Sequence, residues 1–233
     1  MTEQEWLQCS DPELMWRYLE PLDCVATTRR KTKLLACGLV RLAWQLLDQQ
    51  GRRITESMER YAEGCERLQD FQDVMEGYFE KVEENPDLYR YNVTGLWSAR
   101  HENYLLRFAV FEGQAALAAC KQTKEMFRST HLSQICETIR DIFGNVFQPV
   151  VAEPRWRSPA AVELATAIYR DYAFERLPEL ADALSKNGCG DEAILGHCRG
   201  MQQSRHVRGC WVVDSVLGDG YWARGGRGTN RST

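Results

Sequence analysis

The fold class is decided by the stretch Ile54-Thr-Glu-Ser-Met-Glu-Arg-Tyr-Ala-Glu-Gly-Cys-Glu-Arg-Leu68. Its apolar side chains recur every three or four residues, and the same spacing continues through Val74, Tyr78 and Val82. This is the spacing of one face of an α-helix. The pattern stops at Asn85-Pro-Asp87, because proline cannot continue a helix. It therefore predicts a single long helix that ends at this loop.

A second helical pattern follows the loop and uses Leu105, Phe108, Ala115, Ala119, Thr123 and Met126. Each of the two patterns covers about 30 residues, or roughly 45 Å of helix at 1.5 Å per residue. Two long helices that are joined by one loop favour an antiparallel arrangement. We therefore predict a helical hairpin at about residues 52–128.

Helix-capping residues predict shorter helices on both sides of this hairpin. On the amino-terminal side, the pairs Thr2 with Glu5 and Ser10 with Glu13 fit the capping box, and Gly51 is expected to end the helix that precedes the hairpin. On the carboxyl-terminal side, helices are expected to end at Gly144 and to begin at Ser158-Pro159, Leu177-Pro178, Asp191 and Cys210. The last of these also suits a strand, but no partner strand is visible in the sequence.

These patterns together predict an all-α protein, a helical bundle with a long antiparallel hairpin and a C-terminal module of short helices. We expect one domain at residues 1–217, with the hairpin at about 52–128 and the short-helix module at about 129–217. Residues 218–233 are rich in glycine and arginine and are expected to form a disordered tail.

Composition excludes several classes of protein. The formal net charge of −4 argues against a nucleic-acid-binding protein, which needs a basic face. The longest apolar run, from Leu34 to Val40, is far shorter than the roughly 20 residues that cross a bilayer. The amino terminus does not resemble a signal peptide. We therefore expect a cytoplasmic protein whose nine cysteines are reduced thiols.

Thiol and imidazole side chains are concentrated near the carboxyl end, at Cys189, His197, Cys198, His206 and Cys210. Such side chains bind zinc. His206 and Cys210 are four residues apart and can share a helical face, whereas the neighbours His197 and Cys198 point about 100° apart, so that only one of them can join the others. This gives three ligands; a fourth could come from Cys37 or from water, and nothing in the sequence specifies it.

Two other interpretations of the same residues compete with a zinc site. Cys198 or Cys210 could act as a nucleophile with His206 as its base, but the sequence carries no signature of a cysteine hydrolase. Alternatively, the cysteines pack as small hydrophobic side chains and the histidines bond to the backbone. We favour this packing interpretation and expect no catalytic residue and no cofactor. A metal site at His197, Cys198, His206 and Cys210 is the alternative.

Several stretches of the chain carry a family resemblance. They are Met1–Pro12, Arg140–Asn145, Ala167–Tyr169, Leu180–Leu184, His197–Gly200 and His206–Asp214. In these stretches the chain resembles a family of uncharacterised bacterial proteins that is expanded in planctomycetes. The resemblance covers the two ends of the chain and leaves out about residues 52–128. It implies a shared fold module and a bacterial origin, and it implies no activity.

The sequence therefore predicts a non-enzymatic, helical interaction or scaffold protein. We expect the long hairpin to offer a surface to a protein partner or to a second copy of the chain, because two helices alone rarely bury all their apolar faces. The seven tryptophans suit such contacts. The alternative is a metal- or thiol-dependent protein whose site lies at the C-terminal cysteines and histidines.

Overall fold

The computed structural model describes residues 1–19, 25–42, 44–46, 49–84, 124–150, 152–200 and 205–218. These residues form α-helices and short 3-10 helices and contain no strand, which confirms the predicted all-α helical bundle. None of the helices in these ranges combines the length and apolar character that a membrane crossing requires. The α-helices are α1 (Glu3–Gln8), α2 (Pro12–Leu19), α3 (Val25–Leu42), α4 (Gln49–Ala62), α5 (Leu68–Glu84), α6 (Lys124–Phe143), α7 (Pro159–Asp171), α8 (Leu177–Lys186), α9 (Glu192–Cys198) and α10 (Trp211–Leu217).

The chain divides into two compact units, residues 1–139 and residues 140–233. The boundary falls within α6, and this helix runs without interruption through residues 128 and 129, where the sequence predicted the hairpin to end and the short-helix module to begin. Residues 85–123 of the predicted hairpin and residues 219–233 of the predicted tail lie outside the described residues. The hairpin, the tail and the single domain at 1–217 therefore stay predictions.

The first unit begins with two capped helices. The capping box that was predicted at Thr2 and Glu5 is present at the start of α1. The second predicted cap is wrong by one residue. The carboxylate of Asp11, and not the hydroxyl of Ser10, accepts the backbone N–H groups of Glu13 and Leu14. Aspartate and serine are equally good N-caps, so the sequence alone does not choose between these neighbours.

The predicted continuous helix from Ile54 to Val82 is wrong, because the chain turns between α4 and α5. Gly64 adopts a φ of 67°, and the Cys65 N–H donates to the Arg60 carbonyl at 2.8 Å, which closes the end of α4. Tyr61 and Phe71 stack across the turn with ring centroids 5.7 Å apart. Glycine reaches this left-handed conformation at little cost, and the apolar spacing continues because α4 and α5 pack against each other.

The sequence predicted that Gly51 ends a helix. In the structure Gly51 is instead buried within α4. Its carbonyl accepts the Thr55 hydroxyl at 2.8 Å. The same helix packs against α3, and the guanidinium of Arg41 forms two hydrogen bonds with the buried carboxylate of Glu59. A second ion pair joins Arg30 of α3 to Glu63, the residue that follows α4, at 3.0 Å. Both ion pairs connect α3 to the carboxyl-terminal end of α4 and the residue after it.

The second unit is built from α7 to α10, which surround an apolar core. The predicted helix starts are confirmed, since Ser158 caps α7 and Asp191 caps α9 through their side-chain oxygens. The segment that begins at Cys210 is helical, and Cys210 itself is the N-cap of α10. The buried core residues include Ala161, Ala165, Ile168, Leu177, Leu180, Leu184, Ile194, Cys198, Val212, Val213 and Val216.

A close approach between Gly144 and Trp211 brings the end of α6 next to the start of α10. Gly144 has a φ of 68°, and a Cβ atom at this position would lie 3.1 Å from Cγ of Trp211. A side chain here would therefore meet backbone strain and a tight contact, which the indole ring would have to relieve by shifting a few tenths of an ångström. This contact places Asp141, in the last turn of α6, near the residues that precede α10.

Three glycine substitutions separate these two effects. Gly144→Ala should lower the free energy of unfolding by about 1–2 kcal/mol for the left-handed backbone and a further 1–3 kcal/mol or so for the clash. Gly188 has a φ of 84° and nothing within 4 Å of its added Cβ, so Gly188→Ala should show only the backbone cost. Gly190→Ala, with neither feature, should change little. Urea unfolding measures all three, and equal effects for Gly144 and Gly188 would contradict the close approach.

Candidate metal centre

Among the described residues of the second unit, Asp141, His197, His206 and Cys210 converge in a buried cluster. One donor atom from each residue lies within 4.8 Å of the donor atoms of the other three. The side chains of Asp141 and His197 are 0% and 7% exposed, that of His206 is 10% exposed, and Cys210 is fully buried. We call these four residues the Asp-His-His-Cys cluster.

Four separate segments of the chain supply these residues. Asp141 lies in the last turn of α6, and His197 lies in the last turn of α9. His206 lies in the irregular segment before α10, and Cys210 is the N-cap of α10. The turn between the last two residues contains Gly209, whose φ is 92° and whose N–H donates to the hydroxyl of Tyr169 at 3.1 Å. The cluster therefore forms only when all four segments are packed.

Asp141 is the hydrogen-bond acceptor at the centre of the cluster. Its Oδ1 atom lies 2.8 Å from Nδ1 of His206 and 3.2 Å from Nε2 of His197, and its Oδ2 atom accepts the Val207 N–H at 2.9 Å. Burial by itself raises the pKa of the Asp141 carboxyl, but the hydrogen bonds from His197 and His206 outweigh burial and hold this pKa below its usual value. Asp141 is therefore a buried, ionised carboxylate.

The two ring nitrogens of His197 have different partners. Nε2 lies 3.2 Å from Sγ of Cys210 and 3.2 Å from Oδ1 of Asp141. Nδ1 accepts a hydrogen bond from the indole N–H of Trp211 at 3.2 Å. Because an indole nitrogen can only donate, Nδ1 carries no proton in this arrangement. The proton of neutral His197 is therefore on Nε2, where it points into the cluster.

The thiols of this unit are poor nucleophiles in the absence of a metal. Burial, and then the charge of Asp141, raise the pKa of Cys210 well above its ordinary value. Burial also raises the pKa of Cys198 to about 12. Since the thiolate is the reactive species, neither thiol is activated at neutral pH. Moreover, the histidine beside Cys210 is His197, whereas the nucleophile interpretation required His206 as the base.

The spacing of the cluster suits a metal ion. Four donors at about 2.0–2.3 Å from a shared tetrahedral ion lie about 3.3–3.7 Å from one another. The hydrogen-bonded donors of the cluster are 2.8 to 3.2 Å apart and no donor pair is more than 4.8 Å apart, so the observed distances lie on both sides of this range. A carboxylate and a thiolate together carry two negative charges, which a divalent cation neutralises. The Asp-His-His-Cys cluster could therefore hold a divalent metal ion.

The sequence identified three of these four residues. The structure brings His206, Cys210 and His197 together, and it leaves the neighbouring Cys198 in the apolar core. The predicted reason for the pairing of His206 with Cys210 is wrong, because a turn before α10, and not a shared helical face, joins them. The fourth residue of the cluster is Asp141, whereas Cys37 or water was proposed from the sequence as a fourth ligand. The Sγ atom of Cys37 lies 3.8 Å from the Thr55 carbonyl in the first unit.

The sequence-based prediction missed Asp141 because this residue lies 65 residues before His206. No short motif of metal ligands includes both residues. One signal was available in the sequence. Asp141 falls within Arg140–Asn145, and the other three residues fall within His197–Gly200 and His206–Asp214. In these stretches a family resemblance was proposed from the sequence, and Asp141 is one of the metal-binding side chains that they contain.

Comparison with known proteins does not assign the chain to a family. No protein-family model, no curated protein and no solved structure matches the chain.

Substitution of Asp141 tests its place at the centre of the cluster. Asp141→Asn keeps the shape but replaces charged acceptors with a neutral amide, and each hydrogen bond to a charged group contributes about 1.5–3 kcal/mol. We expect the free energy of unfolding, measured with urea in the presence of EDTA, to fall by about 3 kcal/mol. Asp182→Asn is the control, because this side chain is 69% exposed and should change stability little. Equal effects of the two substitutions would contradict the central role of Asp141.

The lowered pKa of Asp141 predicts a dependence of stability on pH. Because the carboxyl binds a proton less readily in the folded chain than in the unfolded chain, its stabilisation is fully present above the unfolded pKa and is lost as the pH falls. In EDTA, the difference in unfolding free energy between the wild type and Asp141→Asn should therefore shrink below about pH 4. A difference that stays constant down to pH 3 or so would show that Asp141 does not titrate in this way.

Proposed function

We propose that the second unit is a helical module that one Zn²⁺ ion stabilises, and that Asp141, His197, His206 and Cys210 are the ligands. One observation carries this proposal. Four donor atoms of metal-binding types, from four separate segments, lie within 4.8 Å of one another in a buried cluster. Buried polar side chains bond mostly to the backbone or to water, whereas a convergence of four metal-binding side chains is the arrangement that a structural metal site requires.

The donor types favour zinc over other common metal ions. Thiolate and imidazole ligands suit Zn²⁺, whereas Mg²⁺ and Ca²⁺ select oxygen ligands. Charge balance agrees, because ionised Asp141 and a thiolate at Cys210 would neutralise a divalent ion within the low-dielectric core. The Cys210 thiol must release its proton to become a ligand, and zinc would supply the positive charge that stabilises the thiolate there.

The proposed role is structural. Four protein donors fill the coordination of a tetrahedral ion, whereas catalytic zinc sites keep one position open for water or substrate. Asp141 and Cys210 are fully buried and the two histidines are nearly so, which leaves the cluster closed to a substrate. A metal ion here would connect α6, α9, α10 and the segment that precedes α10. This proposal agrees with the expectation of a non-enzymatic protein.

The predicted protein partner or self-association remains a separate proposal. It was assigned to the hairpin at about residues 52–128, and much of that segment lies outside the described residues. Among the described residues, the exposed large apolar side chains are Leu7, Leu14 and Leu68, and only Leu68 falls within this segment. The cluster therefore gives the better supported function.

Metal content tests the zinc proposal directly. The full chain, purified without chelator, should contain about one zinc ion per chain by elemental analysis, because four ligands form one closed site. Cys210→Ser should lower this content strongly. Cys198→Ser is the matched control, since Cys198 is also buried in the second unit but lies outside the cluster. Removal of zinc by EDTA should lower the thermal stability of the wild type and leave Cys210→Ser unchanged.

Cobalt provides a second measurement that does not depend on the metal acquired in the cell. The EDTA-treated chain should bind Co²⁺ with the visible absorption of a tetrahedral ion and a thiolate charge-transfer band. The band should persist in Cys198→Ser and disappear in Cys210→Ser. Absence of bound metal from the wild type in both experiments, or equal metal content in the two serine variants, would contradict the proposed site.

A further inference from the structure

Trp211 interacts with the Asp-His-His-Cys cluster in a way that bears on metal binding. Its indole N–H donates to Nδ1 of His197, on the side of the imidazole that faces away from the cluster. The ring centroids of His197 and Trp211 are 5.2 Å apart, and the indole also lies against Gly144. The hydrogen bond, the ring contact and the contact with Gly144 together place the indole N–H at Nδ1 of His197, a proposed ligand.

This hydrogen bond is the reverse of the one that metal-ligating histidines usually make. A ligating imidazole binds the ion through one nitrogen and donates the N–H of its other nitrogen to an acceptor. Here the outer nitrogen, Nδ1, is itself the acceptor, so the inner nitrogen, Nε2, carries the proton. That proton is directed towards Asp141 and Cys210, into the space between the proposed ligands.

Binding of Zn²⁺ by Nε2 of His197 would therefore move the proton of the neutral ring to Nδ1. The Nδ1–H and the indole N–H of Trp211 would then face each other at the 3.2 Å that now separates their nitrogens. Two donors cannot bond to each other, and the indole nitrogen has no lone pair to offer. The hydrogen bond would be lost, and the indole N–H would have to turn away from His197.

We propose that Trp211 is a positioning residue that holds His197 in the tautomer of the metal-free state, so that metal binding is coupled to displacement of the indole. This inference rests on the proposed zinc function, and it adds a residue that lowers the affinity of the cluster for Zn²⁺. The hydrogen bond from Trp211 favours the arrangement in which Nε2 of His197 carries the proton, and that proton lies between the proposed ligands. Zn²⁺ can bind only after this arrangement is lost. The hydrogen bond from the indole therefore lowers the affinity for Zn²⁺.

The inference predicts an affinity change of unusual sign. Loss of a residue that supports a ligating histidine ordinarily weakens metal binding. Trp211→Phe keeps an aromatic ring against Gly144 but removes the N–H that opposes binding. We therefore expect Trp211→Phe to bind Zn²⁺ about tenfold more tightly than the wild type, which corresponds to the loss of one hydrogen bond of ordinary strength.

Trp156→Phe is the matched control. Trp156 is also buried in the second unit, and its Nε1 atom has no hydrogen-bond partner among the described residues. Both variants lose an indole N–H and shorten a tryptophan, but only Trp211 donates to His197. The affinity for Zn²⁺ should therefore change in Trp211→Phe and stay at the wild-type value in Trp156→Phe.

The experiment is a competition titration of the EDTA-treated full chain with Zn²⁺ and a chromophoric chelator, for the wild type and both variants. Tighter binding in Trp211→Phe alone supports the inference. If the wild type binds Zn²⁺ and Trp211→Phe binds equally or more weakly, the inference fails while the zinc function stands. If both tryptophan variants bind more tightly, general loosening of the core explains the change, and the inference again fails.

Nuclear magnetic resonance of ¹⁵N-labelled histidine reads the tautomer without any metal. The metal-free wild type should show neutral His197 with its proton on Nε2, and Trp211→Phe should lose this preference. If neither the wild type nor the variants bind Zn²⁺, the zinc function fails. The spectrum then still shows whether Trp211 determines the tautomer of His197. An Nδ1–H tautomer in the metal-free wild type would overturn the inference.

Discussion

A buried negative charge at Asp141 is the constraint on which the second unit depends. A carboxylate without solvent is costly unless donors or an opposite charge surround it. Three donors from two histidines and one backbone N–H meet this requirement in the structure. Because these donors come from other segments, the charge of Asp141 connects the end of α6 to α9 and to the segment that precedes α10.

The same side chains suit two different ways of balancing that charge. In one, protons on the imidazoles and the thiol fill the space between the donor atoms. In the other, a divalent ion occupies it, with Cys210 as a thiolate. The donor set and burial permit both, and the surroundings set the balance, since the raised pKa of Cys210 and the hydrogen bond from Trp211 both favour protons. The fixed turn at Gly144 matters here because it holds the indole in place.

Much of the fold was predictable because local physics decides it. Periodic apolar residues and caps such as Thr2, Ser158 and Asp191 identified helices and their starts, since these features act within one turn of the chain. The errors arose where local signals were ambiguous. Apolar periodicity continued through the turn at Gly64, and Gly51 looked like a helix end although it lies buried inside α4. Neither outcome depends on neighbouring residues alone.

The sequence by itself determined an all-helical chain and a concentration of thiols and imidazoles near its carboxyl end, because helix periodicity and composition are properties of short segments. Only the tertiary structure decided which of those side chains meet. The hydrogen bonds of Asp141 with His206 and Val207 add a residue that lies 65 positions from His206 along the chain, and the direction of α9 selects His197 over Cys198. Distances between segments depend on packing across the whole unit, and no local pattern encodes them.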